Sequence, residues 1–216
     1  MDAALRLRML VDSGAPLQEG EADALLARSD LVQQLAAERV EGALPCVWRL
    51  VALAEIPFAE RLPFTRELAE RTISTLGTAH GFSLTGRADD LLPCYNAMLV
   101  RALTRLGFAS RPEVAAAVGW ILQHQPLDRS WRTSWSGHGI HKYGGCLEAT
   151  PCYIGLVKAV KALQAYEHAT GGASAGAGGT RAGEVRRAID TGVEYILDHR
   201  LYLRASREEP ITGHLL

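Results

Sequence analysis

The chain has 216 residues, enough for one domain with a sizeable core at about 150 residues per domain, and Lys plus Arg (23) nearly balance Asp plus Glu (24). With a net charge of −1 and no long run of one sign, no surface for nucleic acid is expected. Four cysteines in a chain of this size read as buried thiols, nucleophiles or metal ligands of a cytoplasmic protein, not as a disulfide frame.

At the start, "MDAALRLRMLVDSGAP" sets Asp2, Arg6 and Arg8 among its apolar residues and so lacks the unbroken apolar core of a secretory leader. With "EADALLARSDLVQQLAAERV" it supplies the N-terminal helices of segment 1–44. Three of the four cysteines then directly follow a proline, each at the head of an apolar helical run. Cys46 opens "VWRLVALAEI", and "FTRELAERTISTLGTAHG" gives a second helix ending near His80. Cys94 opens a mostly apolar helix through Ala97, Met98, Val100, Leu103 and Leu106, which Gly107 can end as a left-handed residue. Pro112 and Glu113 start the next helix, whose body is "VAAAVGWILQH". Cys152 opens "YIGLVKAVKALQAYEH", and after the glycine-rich segment 171–180, read as a flexible loop, comes "EVRRAIDTGVEYILDHR".

These segments repeat. Trp120-Ile121-Leu122-Gln123-His124 matches Tyr195-Ile196-Leu197-Asp198-His199 position by position at the ends of two second helices. The reading is a single all-α domain over 1–216, with helical hairpins at 45–92, 93–150 and 151–216. The longest apolar stretch, Val114 to Leu122, is far short of the roughly 18 to 20 residues that span a bilayer, so no membrane span is expected. Stacked hairpins place their first helices side by side in an inner layer, which brings the Pro-Cys positions to one common end. Proline suits a first helical turn, and a small cysteine beside it packs at a crowded helix start or faces the mouth of a cavity.

The segment "QPLDRSW" (125–131) follows the second hairpin. It resembles the QW motif, Q-x-x-x-G-x-W, of the squalene/terpene cyclase and protein prenyltransferase superfamily, with Gln125 and Trp131 matching and Arg129 in place of the glycine. The resemblance implies an αα-toroid, or an open or reduced form of one, in which Gln125 stacks on Trp131 to join consecutive hairpins. Truncating such a buried Trp131 to alanine would cost about 3 to 5 kcal/mol. The superfamily's cyclase acid motif, D-x-D-D, is represented by "RADD", which keeps Asp89 and Asp90 and has Arg87 at the first position.

The densest constellation is "GHGIHKYGGCLEATPC", with His138, His141, Cys146 and Cys152. Imidazole and thiolate are ordinary Zn2+ ligands, and Cys94 joins the set if the repeat brings it close. The competing reading is a flexible loop with surface histidines and buried thiols. Asp90 is a candidate acid, although Asp89 and Asp90 also suit the start of the Cys94 helix. Glu148 is a candidate general base or a helix N-terminal charge. Tyr95, Trp131, Trp135, Tyr143 and Tyr153 are the candidate lining of an apolar pocket. His124 and His199 suit helix C-termini, where a cation meets the negative end of the dipole. Two functions follow as expectations. One is an enzyme acting on an apolar, isoprenoid-derived substrate in a central cavity with zinc at the mouth; the other is a non-catalytic helical-repeat module that binds a peptide, lipid or protein.

Overall fold

A computed structural model of the protein describes residues 1–37, 40–137, 152–171, 179–203, 206 and 208–210. It is mostly helical, and no helix among the described residues is long and apolar enough to cross a membrane. The N-terminal part holds α1 (Ala3–Asp12), α2 (Glu21–Ala27) and α3 (Asp30–Ala37). Asp2 caps α1 by accepting the Ala4 N–H at 2.8 Å, and the same carboxylate accepts the Ser29 hydroxyl at 2.7 Å between α2 and α3. One side chain thereby fixes the approach of three short helices that would be marginal alone.

Next come α4 (Ala43–Ala54) and α5 (Pro63–Leu76), linked through a 3-10 turn at Ala59–Arg61. The second helix of this pair was expected to reach His80, but it stops at Leu76 because Gly77 turns to extended backbone (ψ 137°). Residues Gly77–Thr78 (β1) and Gly81–Phe82 (β2) then pair antiparallel, Gly77 opposite Phe82 and Thr78 opposite Gly81. Strands of two residues are too short to carry a period-2 pattern, so neither is legible from residue alternation.

Helix α6 (Pro93–Leu103) passes into one wide turn at Thr104–Phe108, where Gly107 takes the expected left-handed conformation at φ +87°. It is followed by α7 (Pro112–His124), which Pro112 starts. Beyond residue 151 lie α8 (Tyr153–Thr170) and α9 (Gly179–Asp198). The predicted loop at 171–180 falls outside the described residues except at its ends.

Helix α4 packs on α5, α6 on α7 and α8 on α9, while α6 lies between α4 and α8. This central position explains the composition of α6. Ala97, Leu99, Val100, Ala102 and Leu103 are all buried, and a polar face on this helix would have no water to meet. Each buried leucine or valine contributes about 1.5 to 3 kcal/mol of transfer free energy. Helices α8 and α9 approach closely at Gly192, where a Cβ would lie 2.5 Å from Val160 Cγ2. At the far end of α6, Glu55 gathers three guanidiniums: Arg101, Arg105 at 3.1 Å and Arg8 at 3.7 Å. Burial pushes the Glu55 carboxyl up, but the hydrogen bond from Arg101 and the three positive charges hold it below its ordinary 4.5.

Candidate functional site

A groove of about 320 Å³ crosses the faces of α4, α6 and α8. Trp48 and Val51 come from α4, Ala97, Met98 and Arg101 from α6, and Ile154, Lys158 and Lys161 from α8. Every one of these lies within three turns of the Pro-Cys cysteine in or beside the first turn of its helix. The walls are apolar. Trp48 is 53% exposed, so a broad apolar ring face is open on the groove wall. The positive groups are not equivalent. Arg101 is held by Glu55, whereas neither Lys158 nor Lys161 has an ion pair among the described residues.

Cys94 and Cys152, at the starts of α6 and α8, interact electrostatically, and neither lines the groove. Burial pushes the Cys94 thiol above its ordinary 9.0, the nearby Lys158 charge partly offsets that, and Cys152 adds to it. A thiol held protonated in this way is a poor nucleophile. Cys152 caps α8 through its backbone carbonyl, which accepts the Leu156 N–H at 2.8 Å. Cys46 is buried and lines another cavity, of about 340 Å³, with Thr72, Leu76 and Thr85.

The aromatic residues before residue 138 gather elsewhere. Trp135 meets Trp120 edge-on at 5.6 Å, His124 at 5.1 Å and His80 at 5.3 Å between ring centroids. This node pins the segment after α7 to the end of α7 and to the turn at His80. Within it, Trp120 Nε1, His124 Nδ1 and Trp135 Nε1 are buried without hydrogen-bond partners among the described residues.

Several expectations are corrected. Trp131 is 39% exposed and lines neither cavity, because the turn at Asp128 and Ser130, closed by the Ser130 N–H to Asp128 Oδ1 at 2.9 Å, leaves it on the surface. Gln125, in contrast, is 2% exposed and donates to the Pro126 carbonyl at 3.3 Å. Its amide sits over the first turn of α8: a Cβ on Gly155 would lie 3.8 Å from Gln125 Nε2 and from Cys152 Sγ alike. Gln125 therefore does touch the next helix pair, without Trp131 as a buried partner. The aspartates do not cap α6. Leu91 and Leu92 intervene as extended backbone, Asp89 pairs with Arg87 at 2.7 Å, and Asp90 turns inward to accept the Thr85 hydroxyl at 2.7 Å. His124 ends α7 as expected, but its burial, with His80 nearby, lowers its pKa below 6.5 and favours the neutral ring over a cation at the helix end.

Tyr95 is half-buried against the core beside Cys94. Tyr153 donates its hydroxyl to the Ile196 carbonyl at 3.3 Å, tying the head of α8 to the end of α9 and not reaching the groove. His199 is 3% exposed and stacks on Tyr195 at 4.1 Å. His138, His141, Tyr143, Cys146 and Glu148 lie outside the described residues, and no group of three or more His, Cys, Asp or Glu is placed to hold a metal ion among the described ones. Trp48, Lys158 and Lys161 were not anticipated. The signal was present for the lysines, which stand three residues apart in the otherwise apolar "YIGLVKAVKAL".

Compared with known proteins, the chain matches no family model, no curated protein and no solved structure.

Proposed function

We propose that the chain is an arc of helical hairpins of the terpene cyclase and prenyltransferase type, and that it takes an apolar, isoprenoid-derived ligand in the groove across α4, α6 and α8. The observation that carries this reading is the groove itself, whose walls come from three helices that each have a Pro-Cys pair in or beside the first turn. The pairing of α4 with α5, α6 with α7 and α8 with α9 supports the hairpin arrangement, as does Gln125 reaching from the end of α7 to the head of α8. Trp48 offers a broad apolar face to a ligand that would cover it.

Calorimetric titration with farnesol, a neutral isoprenoid alcohol, tests the reading. Saturable binding that weakens about tenfold or more in Trp48→Ala is expected, a loss of roughly 1.4 kcal/mol. An absence of saturable binding, or equal binding by Trp48→Ala, overturns it. A second reading, a non-catalytic module using the same groove, is favoured by the protonated state of the Cys94 thiol, which leaves no ready nucleophile at that position. Mass analysis of the ligand after incubation separates the two, since an enzyme returns it altered and a binding module returns it intact.

A further inference from the structure

We infer that the ligand of this groove carries a single carboxylate, held by Lys158 and Lys161. The inference rests on the reading of the groove as an apolar ligand site and adds the chemistry of the ligand's polar end. Lys158 and Lys161 stand three residues apart on α8 and both face the groove, so their ammonium groups can converge on one anion. Lys158 is half-buried in an otherwise apolar wall beside Ile154 and Met98. Its stem lies along the apolar wall while its charged end can meet an anion at the rim.

The described residues provide no such anion. Glu55, the partner of the groove residue Arg101, is already engaged by Arg101, Arg105 and Arg8, and the ion pairs among the described residues leave both lysines unmatched. Net positive charge thus sits on the wall of an apolar groove in a chain whose overall charge is only −1. Charge complementarity selects an anionic amphiphile. The groove's own arginine, Arg101, is spent on Glu55, so the head group of the ligand is left to the two ammonium groups and without a bidentate guanidinium contact. Two lysines on flexible stems at a half-open rim suit a carboxylate, with its alkyl body running toward Trp48 and Val51.

The full chain is titrated at pH 8 with dodecanoate, dodecanol and dodecyl phosphate, each below its aggregation concentration, and followed by calorimetry. Dodecanoate is expected to bind about tenfold tighter than dodecanol and tighter than dodecyl phosphate, the tenfold being worth about one favourable charge pair. In the Lys158→Gln, Lys161→Gln double variant the preference for the acid should vanish while dodecanol still binds saturably, which also shows that the variant is folded. Should that variant lose dodecanol as well, Lys161→Gln alone decides, since this exposed position tolerates change, and an undiminished acid preference there overturns the inference. Equal affinity of the wild type for dodecanol and dodecanoate, or tighter binding of the phosphate, overturns it and leaves the groove reading standing. If none of the three amphiphiles binds, the inference falls, and the farnesol titration decides the groove reading by itself.

Discussion

Asn96 Oδ1 accepts the backbone N–H of Phe82 at 2.9 Å, so a fully buried side chain of α6 holds the second of the two short strands against the helix layer. The same amide donates to the Ala117 carbonyl at 3.3 Å on α7. Both partners are buried backbone groups with a cost of roughly 1 to 3 kcal/mol each when left unpaired. Asn96→Leu should therefore destabilise by about 2 to 4 kcal/mol in urea unfolding, more than its gain in apolar volume returns. A loss below about 1 kcal/mol would mean that the strand pair holds itself without Asn96.

How far this arrangement was legible in the sequence depends on the range of the interaction. Helix starts were readable because proline and glycine act locally: Pro93, Pro112 and Gly107 do in the structure what their covalent geometry dictates. The end of α5 was misplaced by a few residues, since the alternative for Gly77 to Phe82 is a strand pair fixed by Asn96, which lies 14 residues further along the chain. Asp90 looked like a helix cap for the same reason. Its partner, Thr85, is chosen by the fold of the intervening turn and not by spacing from α6. The groove was invisible as a site because its residues sit singly on three helices, each reading as ordinary helix surface.

The two tryptophans of the segment after α7 should behave oppositely. Trp131 is exposed, while Trp135 packs edge-on against the buried Trp120 and contacts both His80 and His124. Trp131→Ala is expected to cost less than about 1 kcal/mol, the range for surface changes. Trp135→Ala should cost about 2 to 3 kcal/mol, below the full-core range because the ring is only half-buried. Chemical denaturation of both variants checks the order, and a larger loss at Trp131 would restore the buried stacking that the QW resemblance implied.

His124 should make stability fall with acid. Burial and the neighbouring His80 lower its pKa from the ordinary 6.5, so the unfolded chain binds a proton at a pH where the folded chain does not. Stability from this group is therefore full above about pH 6.5 and is lost as pH falls from there through the lowered folded value. Melting curves from pH 8 to pH 5 should show a steeper decline for the wild type than for His124→Phe. Parallel declines would show that His124 protonates equally in both states.

Zinc at the starts of α6 and α8 gives the last prediction. Cys94 and Cys152 interact electrostatically there, and Cys146, His138 and His141, outside the described residues, complete the donor set expected from the sequence. Two thiols alone make half of a tetrahedral site, so the prediction stands on one or two of those three residues closing over them. Burial holds the Cys94 thiol protonated, which means that a metal must displace a proton to bind, and affinity should rise with pH across the neutral range. Protein purified without a metal-binding tag or added metal is expected to contain about one zinc per chain, and a chelator should lower its melting temperature. The Cys94→Ser, Cys152→Ser double variant should ignore the chelator. Wild-type protein that carries no stoichiometric metal, and whose melting temperature answers neither to chelator nor to added zinc, would return these cysteines to the simpler role that Cys46 illustrates, a small side chain packed at a crowded helix start.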